Sequence, residues 1–265
     1  MNWTPRQTAM LAAMGLRLWP VPGPASAASV AEIAEAVEND ETAAAHAPVP
    51  QRGPTLAAAP LPALHALDWH GLRDRVAACR ACALCESRSQ TVFGTGHPQA
   101  HWLVVGEAPG ADEDEQGEPF VGASGQLLDR MLAALRLTRA ADGPEPPSQR
   151  VFIANTLKCR PPRNRNPTAA ELAQCEPFLV RQIELLRPRL ILAMGRFAVQ
   201  ALLRSDEPIG KLRGRVHHYQ GVPLVVTYHP AYLLRNLPDK AKAWEDLCLA
   251  ADVAERTQAS SADCA

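Results

Sequence analysis

Four short apolar runs recur along the chain, each followed by a turn: "HWLVVGE" (101–107), "RVFIANT" (150–156), "RLILAMG" (189–195) and "PLVVTYHP" (223–230). They have the length of buried strands and fall short of helices. Between them lie segments such as "GQLLDRMLAALR" and "ELAQCEPFLVRQIELL", whose apolar residues return at helical spacing. Strands separated by helices pair in parallel, with the helices packed on both faces of the sheet. The pattern predicts an α/β fold, a three-layer sandwich with a central, mostly parallel four-stranded sheet, occupying residues 66–257.

Outside that stretch the composition changes. Residues 22 to about 64 are dominated by Ala and Pro, as in "AAAHAPVPQRGPTLAAAPLPAL". Such a composition buries no core and predicts a disordered linker. Before it, Met10, Leu11, Met14 and Leu18 stand at helical spacing within 6–19, which predicts a short helix. That helix either packs on its own domain or docks on a protein partner. Residues 1–65 are thus read as helix plus linker, and residues 258–265 as a disordered tail. Arg, Asp, Glu or Pro interrupts every apolar stretch before it reaches the length of a membrane span. The start, "MNWTPRQTAMLAAMGLRLW", lacks the pattern of a secretory signal, so the chain is expected in the cytoplasm. Net charge is −1, but residues 1–69 carry three Arg against six acids, and residues 70–257 carry 24 Lys and Arg against 21 acids. That small basic excess permits nucleic-acid binding and does not demand it.

In an open parallel sheet, ligands bind beyond the carboxyl ends of the strands. Those ends carry Glu107, Asn155, Gly195 and His229. The turn after the first strand, "GEAPGADEDEQGEPFVGASG", is glycine-rich, as a phosphate cradle would be. It nevertheless holds Glu107, Asp112, Glu113, Asp114, Glu115 and Glu118 and not one Lys or Arg. A carboxylate, an amide and an imidazole converge on one edge with no phosphate anchor among them.

The chain has seven cysteines. In a cytoplasmic protein they point to metal or redox chemistry more than to disulfides. "CRACALC" supplies Cys79, Cys82 and Cys85, and Cys159 and Cys175 stand beside basic or polar sequence. Zinc sites usually pair one CxxC with another, which the 159/175 spacing does not do. An iron–sulfur cluster needs only four thiolates that meet in space. Spacing alone leaves iron–sulfur, zinc and buried structural cysteines open, and Cys85 competes for a place among the four. Cys248 reads as a buried helix residue, and Cys264 lies in the tail.

Taken together, "GEAPGADEDEQGEPFVGASG", "ANTLKCRPPRNRNP" and "YHPAYLLRN" resemble, in order and spacing, the motifs of the family 4 uracil-DNA glycosylases, the iron–sulfur branch. The resemblance covers roughly residues 70 to 255. It implies a monofunctional base excision repair enzyme that hydrolyses uracil from DNA and leaves an abasic site. It further implies a monomer acting at the bacterial nucleoid, with a 4Fe-4S cluster on Cys79, Cys82, Cys159 and Cys175. Ser124 stands where relatives commonly have Ala. Ala108 leaves no aspartate where the main bacterial family places its water-activating residue, so the resemblance names no general base.

The roles implied by the resemblance are specific. Glu107, Ala108 and Pro109 form the pocket wall, with Glu107 orienting water or fencing uracil C5. Phe120 stacks the extruded base. Asn155 accepts from uracil N3–H and donates to O4, and His229 donates to O2 as charge develops there. Glu113 or Asp114 positions water, while the other acids belong to a solvated loop and helix start. Lys158, Arg160, Arg163 and Arg165 meet phosphate from a loop tethered by Cys159. After His229 a protruding loop carries Leu233 or Leu234 as a wedge into the base stack, with Arg235 on phosphate. The rival readings are a module that binds uracil or damaged DNA without cleaving it, and a partner-recruiting protein.

Overall fold

The computed structural model describes the backbone of Met10 and of residues 64–262, with side chains through residue 257. The helix expected at 6–19, Met10 apart, and the linker at 22–63 lie outside the described residues, as does Cys264. The chain forms α1 (Trp69–Ala77), α2 (Leu84–Ser87), β1 (Thr95–Gly96), β2 (Trp102–Gly106), α3 (Ala111–Gln116) and α4 (Ala123–Ala134). It continues through β3 (Val151–Asn155), α5 (Ala169–Leu186), β4 (Leu190–Met194), α6 (Arg196–Leu203) and α7 (Ile209–Leu212). It closes with β5 (Val216–Tyr219), β6 (Val222–Thr227), α8 (Pro230–Arg235) and α9 (Asp239–Ala262).

The four expected strands form the middle of the sheet, but the sheet is larger than four. It has six strands in the order β1-β3-β2-β4-β6-β5. The pairs β2/β3, β2/β4 and β4/β6 are parallel, while β1 and β5 close the two edges antiparallel. The edge strands gave no apolar run because they are short and only half-covered. β1 has two residues, and β5 ("VHHY") is largely half-buried.

Alternation along the strands divides the core into two layers. Leu103, Val105, Phe152, Ala154, Ile191 and Ala193 pack on one face with Leu72 of α1 and Phe178 and Leu179 of α5. Trp102, Val104, Val151, Ile153, Leu190 and Leu192 pack on the other with Leu128 and Met131 of α4 and Trp244 and Leu247 of α9. Strands covered on both faces read as continuous apolar runs, which is why these four stand out in the sequence.

The chain leaves β2 for β3 on one side and then crosses to β4 on the other. The crevice at such a reversal, outside the carboxyl end of β2, is where an open α/β sheet takes its ligand. The last helix runs to Ala262, so the backbone stays helical past residue 257, where a disordered tail was expected. No Gly or Pro interrupts "RTQASSA", and nothing local stops the helix there. No helix among the described residues is long and apolar enough to cross a membrane.

Candidate active site

A cleft of about 470 Å³ opens at the carboxyl ends of β2 and β3, walled by Glu107, Ala108, Pro109, Phe120, Asn155 and His229. Arg165, Leu234 and Arg235 stand at its mouth. Of the strand-end residues read from the sequence, Glu107, Asn155 and His229 are therefore brought together on the cleft, and Gly195 is not among its walls.

Asn155 ends β3 and is 3% exposed, yet its Oδ1 has no hydrogen-bond partner. Burying an amide oxygen without a donor costs about 1–3 kcal/mol. Such an atom in a cleft wall is an acceptor waiting for a ligand's N–H. Gly106 opposite it has to be glycine on grounds of space, because a Cβ there would lie 2.5 Å from Asn155 Oδ1 and 2.7 Å from Phe120 Cζ.

Phe120 is buried with φ +57°, a conformation that only a braced residue holds. The brace is Arg139, whose Nη1 donates to the carbonyls of Pro119 (3.0 Å) and Phe120 (2.9 Å). Arg139 is itself held by Asp129 at 2.8 Å. No motif in the sequence pointed to Arg139; only the tertiary fold brings it to the carbonyls it clamps. The Phe120 ring lies 5.3 Å from the His229 ring at 27°.

His229 caps α8, and its Nδ1 accepts the Ala231 N–H at 3.2 Å. With Nδ1 so engaged, the ring proton resides on Nε2. Burial, assisted by Arg235, pushes the imidazole down to about 4, so it is neutral at physiological pH. Glu107, half-buried one residue beyond β2, is pushed the opposite way: burial raises its carboxyl above the usual range, with Arg196 partly offsetting.

The acidic turn is more structural than the sequence suggested. Glu113 folds back on the start of α3, Oε2 accepting from Gly110 N (3.0 Å) and Oε1 from Val121 N (3.1 Å). Asp114 is buried and accepts from Ser89 N at 2.9 Å. Glu113 lines the cleft with both oxygens engaged by the backbone of the turn, and Asp114 is buried and does not line it, so the water-positioning role expected of them is corrected. Asp112 is the exposed acid that faces the cleft.

The basic residues divide. Lys158 is 1% exposed, and its Nζ donates to Asn155 O (2.8 Å) and Gln182 Oε1 (2.6 Å). An ammonium committed to the interior cannot reach phosphate, and that expectation is corrected. Arg163 is exposed and Arg160 half-buried, in a turn where Arg163 and Asn164 both take left-handed backbone. Arg165 is gripped by both oxygens of Glu171 (2.9 and 2.6 Å), which aims it at the cleft. That pairing, with the Thr168 N–H, holds the Glu171 carboxyl down to about 2.

Residues 230–235 form a helix rather than a protruding loop. Leu233 is fully buried in the core, whereas Leu234 is 41% exposed at the cleft mouth. Successive helical side chains point about 100° apart, so only one of the two leucines can face outward. The wedge role expected of Leu233 is corrected, and Leu234 alone is placed for it.

Cys79, Cys82, Cys85, Cys159 and Cys175 line one small cavity with Arg88 and Lys158. Arg88 Nη1 lies 2.9 Å from Cys159 Sγ, and the Lys158 backbone N–H meets Cys175 Sγ at 3.4 Å. Burial pushes the Cys175 thiol up to about 12 and raises Cys159 and Cys82. Among the described residues no three His, Cys, Asp or Glu side chains gather closely enough to hold a metal ion.

Residues 93–248 match the family model of the uracil DNA glycosylase superfamily. A type-4 uracil-DNA glycosylase of Pyrobaculum aerophilum is 39% identical over 193 residues, covering 69% of this chain and 93% of its own length. One from Archaeoglobus fulgidus is 41% identical over 167 residues, 60% of this chain and 79% of the relative. One from Saccharolobus solfataricus is 40% identical over 184 residues, 66% and 81% respectively.

Proposed function

The chain belongs to the type-4 branch of the uracil-DNA glycosylase superfamily, and from that premise we propose how its residues excise uracil from DNA. The reaction hydrolyses the bond between uracil and deoxyribose in DNA repair. A base inside a duplex is out of reach, so the nucleotide first swings out, at a cost of a few kcal/mol in unstacking. Leu234 fills the gap it leaves, with Arg235, Arg165, Arg163 and Arg160 on the phosphates. Uracil enters against Phe120. Its N3–H meets the unpartnered Asn155 Oδ1, and its O4 takes the amide N–H. His229 Nε2–H lies where O2 becomes negative, and Glu107 faces the sugar as it becomes cationic. Water is oriented by Glu107 or Asp112; Glu113, the third acid on the cleft, is engaged by the Gly110 and Val121 N–H groups.

The observation that carries this reading is the buried acceptor of Asn155 beside a neutral, Nε2-protonated His229. Incubation with uracil-containing oligonucleotides followed by alkaline cleavage tests it. Strand breaks at uracil alone are expected; binding without breaks would favour a non-catalytic reader.

The cysteine cavity suits a 4Fe-4S cluster held by Cys79, Cys82, Cys159 and Cys175. The four cysteines would hold it from the walls of the cavity that they line. Its iron also supplies the positive charge without which thiols this buried stay protonated. Arg88 and the Lys158 N–H are donors to the sulfurs of a net-anionic group. When bound, it would supply no step of hydrolysis and would tie the turn of Arg160–Arg165, through Cys159, to Cys175 of α5 and to the segment after α1 that carries Cys79 and Cys82. Cys159→Ala or Cys175→Ala should yield colourless protein with little iron, whereas Cys85→Ala should keep the broad absorption near about 400 nm expected of such clusters. Stoichiometric zinc in the wild-type protein would overturn the assignment.

The two leucines of α8 separate wedge from core. Leu234→Ala should lower excision from duplex DNA by about 10-fold relative to single strands, because only the duplex needs the base held out. Leu233→Ala should instead destabilise the fold by about 2–5 kcal/mol in denaturant titration. A duplex-specific defect in Leu233→Ala alone would reverse the assignment.

A further inference from the structure

We propose that Lys158 is a positioning residue for base reading, a buried brace that sets the aim of the Asn155 amide. The inference rests on the role given to Asn155 above.

The Asn155 carbonyl and the Thr156 N–H belong to one peptide unit. The carbonyl accepts from Lys158 Nζ at 2.8 Å, and the N–H donates to Gly106 O at 3.0 Å. A peptide plane held on both sides has its tilt fixed, and that tilt sets the backbone from which the Asn155 side chain departs. The neighbouring atoms extend the hold to the opposite lip of the cleft. Thr156 Oγ1 donates to Glu107 O at 2.5 Å, and Leu157 N donates to the same oxygen at 3.1 Å. The ammonium is itself located by Gln182 Oε1 at 2.6 Å. Gln182 is fully buried, and its Nε2 is spent on Phe93 O at 2.8 Å, so the acceptor cannot rotate away.

A buried ammonium is expensive, and an apolar side chain of similar length would fill the same space at less cost. The charge therefore serves something beyond packing. Two explanations compete, since Lys158 adjoins Cys159. The ammonium does act across space on the Cys175 and Cys159 thiols, but its hydrogen bonds go elsewhere: the backbone N–H meets Cys175 Sγ, whereas Nζ donates to Asn155 O and Gln182 Oε1. The side chain points along the route to the base-reading amide.

The test is a double-mutant cycle with iron-loaded protein. Lys158→Met keeps the stem and removes the ammonium. Its single-turnover rate on uracil should fall by about 10-fold or more, with iron per chain and affinity for abasic DNA unchanged. In an Asn155→Ala background the same replacement should cost less than about 2-fold, because the brace has nothing left to aim. Equal losses in both backgrounds, or iron loss in Lys158→Met, would overturn the inference and leave the Asn155 reading intact. A wild-type rate for Asn155→Ala would overturn both. Should Lys158→Met prove insoluble, Gln182→Met removes the ammonium's second acceptor and enters the same cycle with the same expected non-additivity.

Discussion

Replacing His229 by Ala should lower the single-turnover rate of uracil excision by roughly 100-fold or more, while affinity for abasic DNA changes by only about a few-fold. The asymmetry follows from when the contact matters. Uracil O2 is a weak acceptor in the intact nucleotide and a strong one once the departing base carries negative charge. A donor already in place gains strength only as the bond breaks, so it acts on the rate. The ring is prepared for this by Ala231, whose N–H occupies Nδ1 and leaves the proton on Nε2. Burial keeps it neutral by lowering its pKa from 6.5 to about 4. No inflection in the rate near pH 6.5 should therefore come from His229. Stability should respond instead. Between pH 6.5 and about 4 the unfolded chain binds a proton at this residue that the folded chain refuses, so folding weakens as pH falls through that window. Denaturant midpoints across it should slope less in His229→Ala. An equal loss of binding and rate would make His229 a substrate-positioning group.

What the sequence made legible follows from what repeats locally. β2, β3, β4 and β6 are covered on both faces, so their apolar runs are unbroken, and a parallel sheet places the residues after such runs on one edge. Glu107, Asn155 and His229 could be found by that reasoning alone. What it missed depends on partners distant in the chain. Lys158 reads as a phosphate contact until Gln182, one α5 helix away, is seen to receive its ammonium. Asp114 reads as a water-positioning acid until Ser89 arrives to bond it. Leu233 and Leu234 are chemically identical neighbours, and only the rotation of α8 sends one to the core and the other to solvent. Arg139, clamping the left-handed Phe120, belongs to no motif at all. Local pattern reveals elements and their ends; the hydrogen-bond partners that fix a functional side chain come from elsewhere in the fold.

The largest change in specificity should come from Asn155→Asp. The amide offers one acceptor and one donor, which suit uracil N3–H and O4. Cytosine presents an unprotonated N3 and an amino group, so both contacts fail, and the acceptor that is unpartnered in the free protein stays unpartnered. Leaving buried polar groups unsatisfied is the kind of mismatch that discriminates by about 10⁴-fold or more. An ionised aspartate of the same size accepts only. It would repel uracil O4 and accept from the cytosine amino group. Excision of uracil should fall by about 100-fold or more, and slow excision of cytosine should appear, fastest where cytosine is mismatched or unpaired and flips at least cost. The Lys158 brace sharpens the expectation, because its ammonium holds the residue 155 carbonyl only 2.8 Å away. It supplies positive charge near the new carboxylate and so favours the ionised, acceptor-only form. In the Lys158→Met background the aspartate should hold its proton more readily and regain some of the donor character that uracil O4 needs. Cytosine excision should then weaken, and uracil excision should stay low because the side chain has also lost the brace that aims it. Cleavage of uracil by Asn155→Asp at the wild-type rate would show that this side chain does not read the base edge.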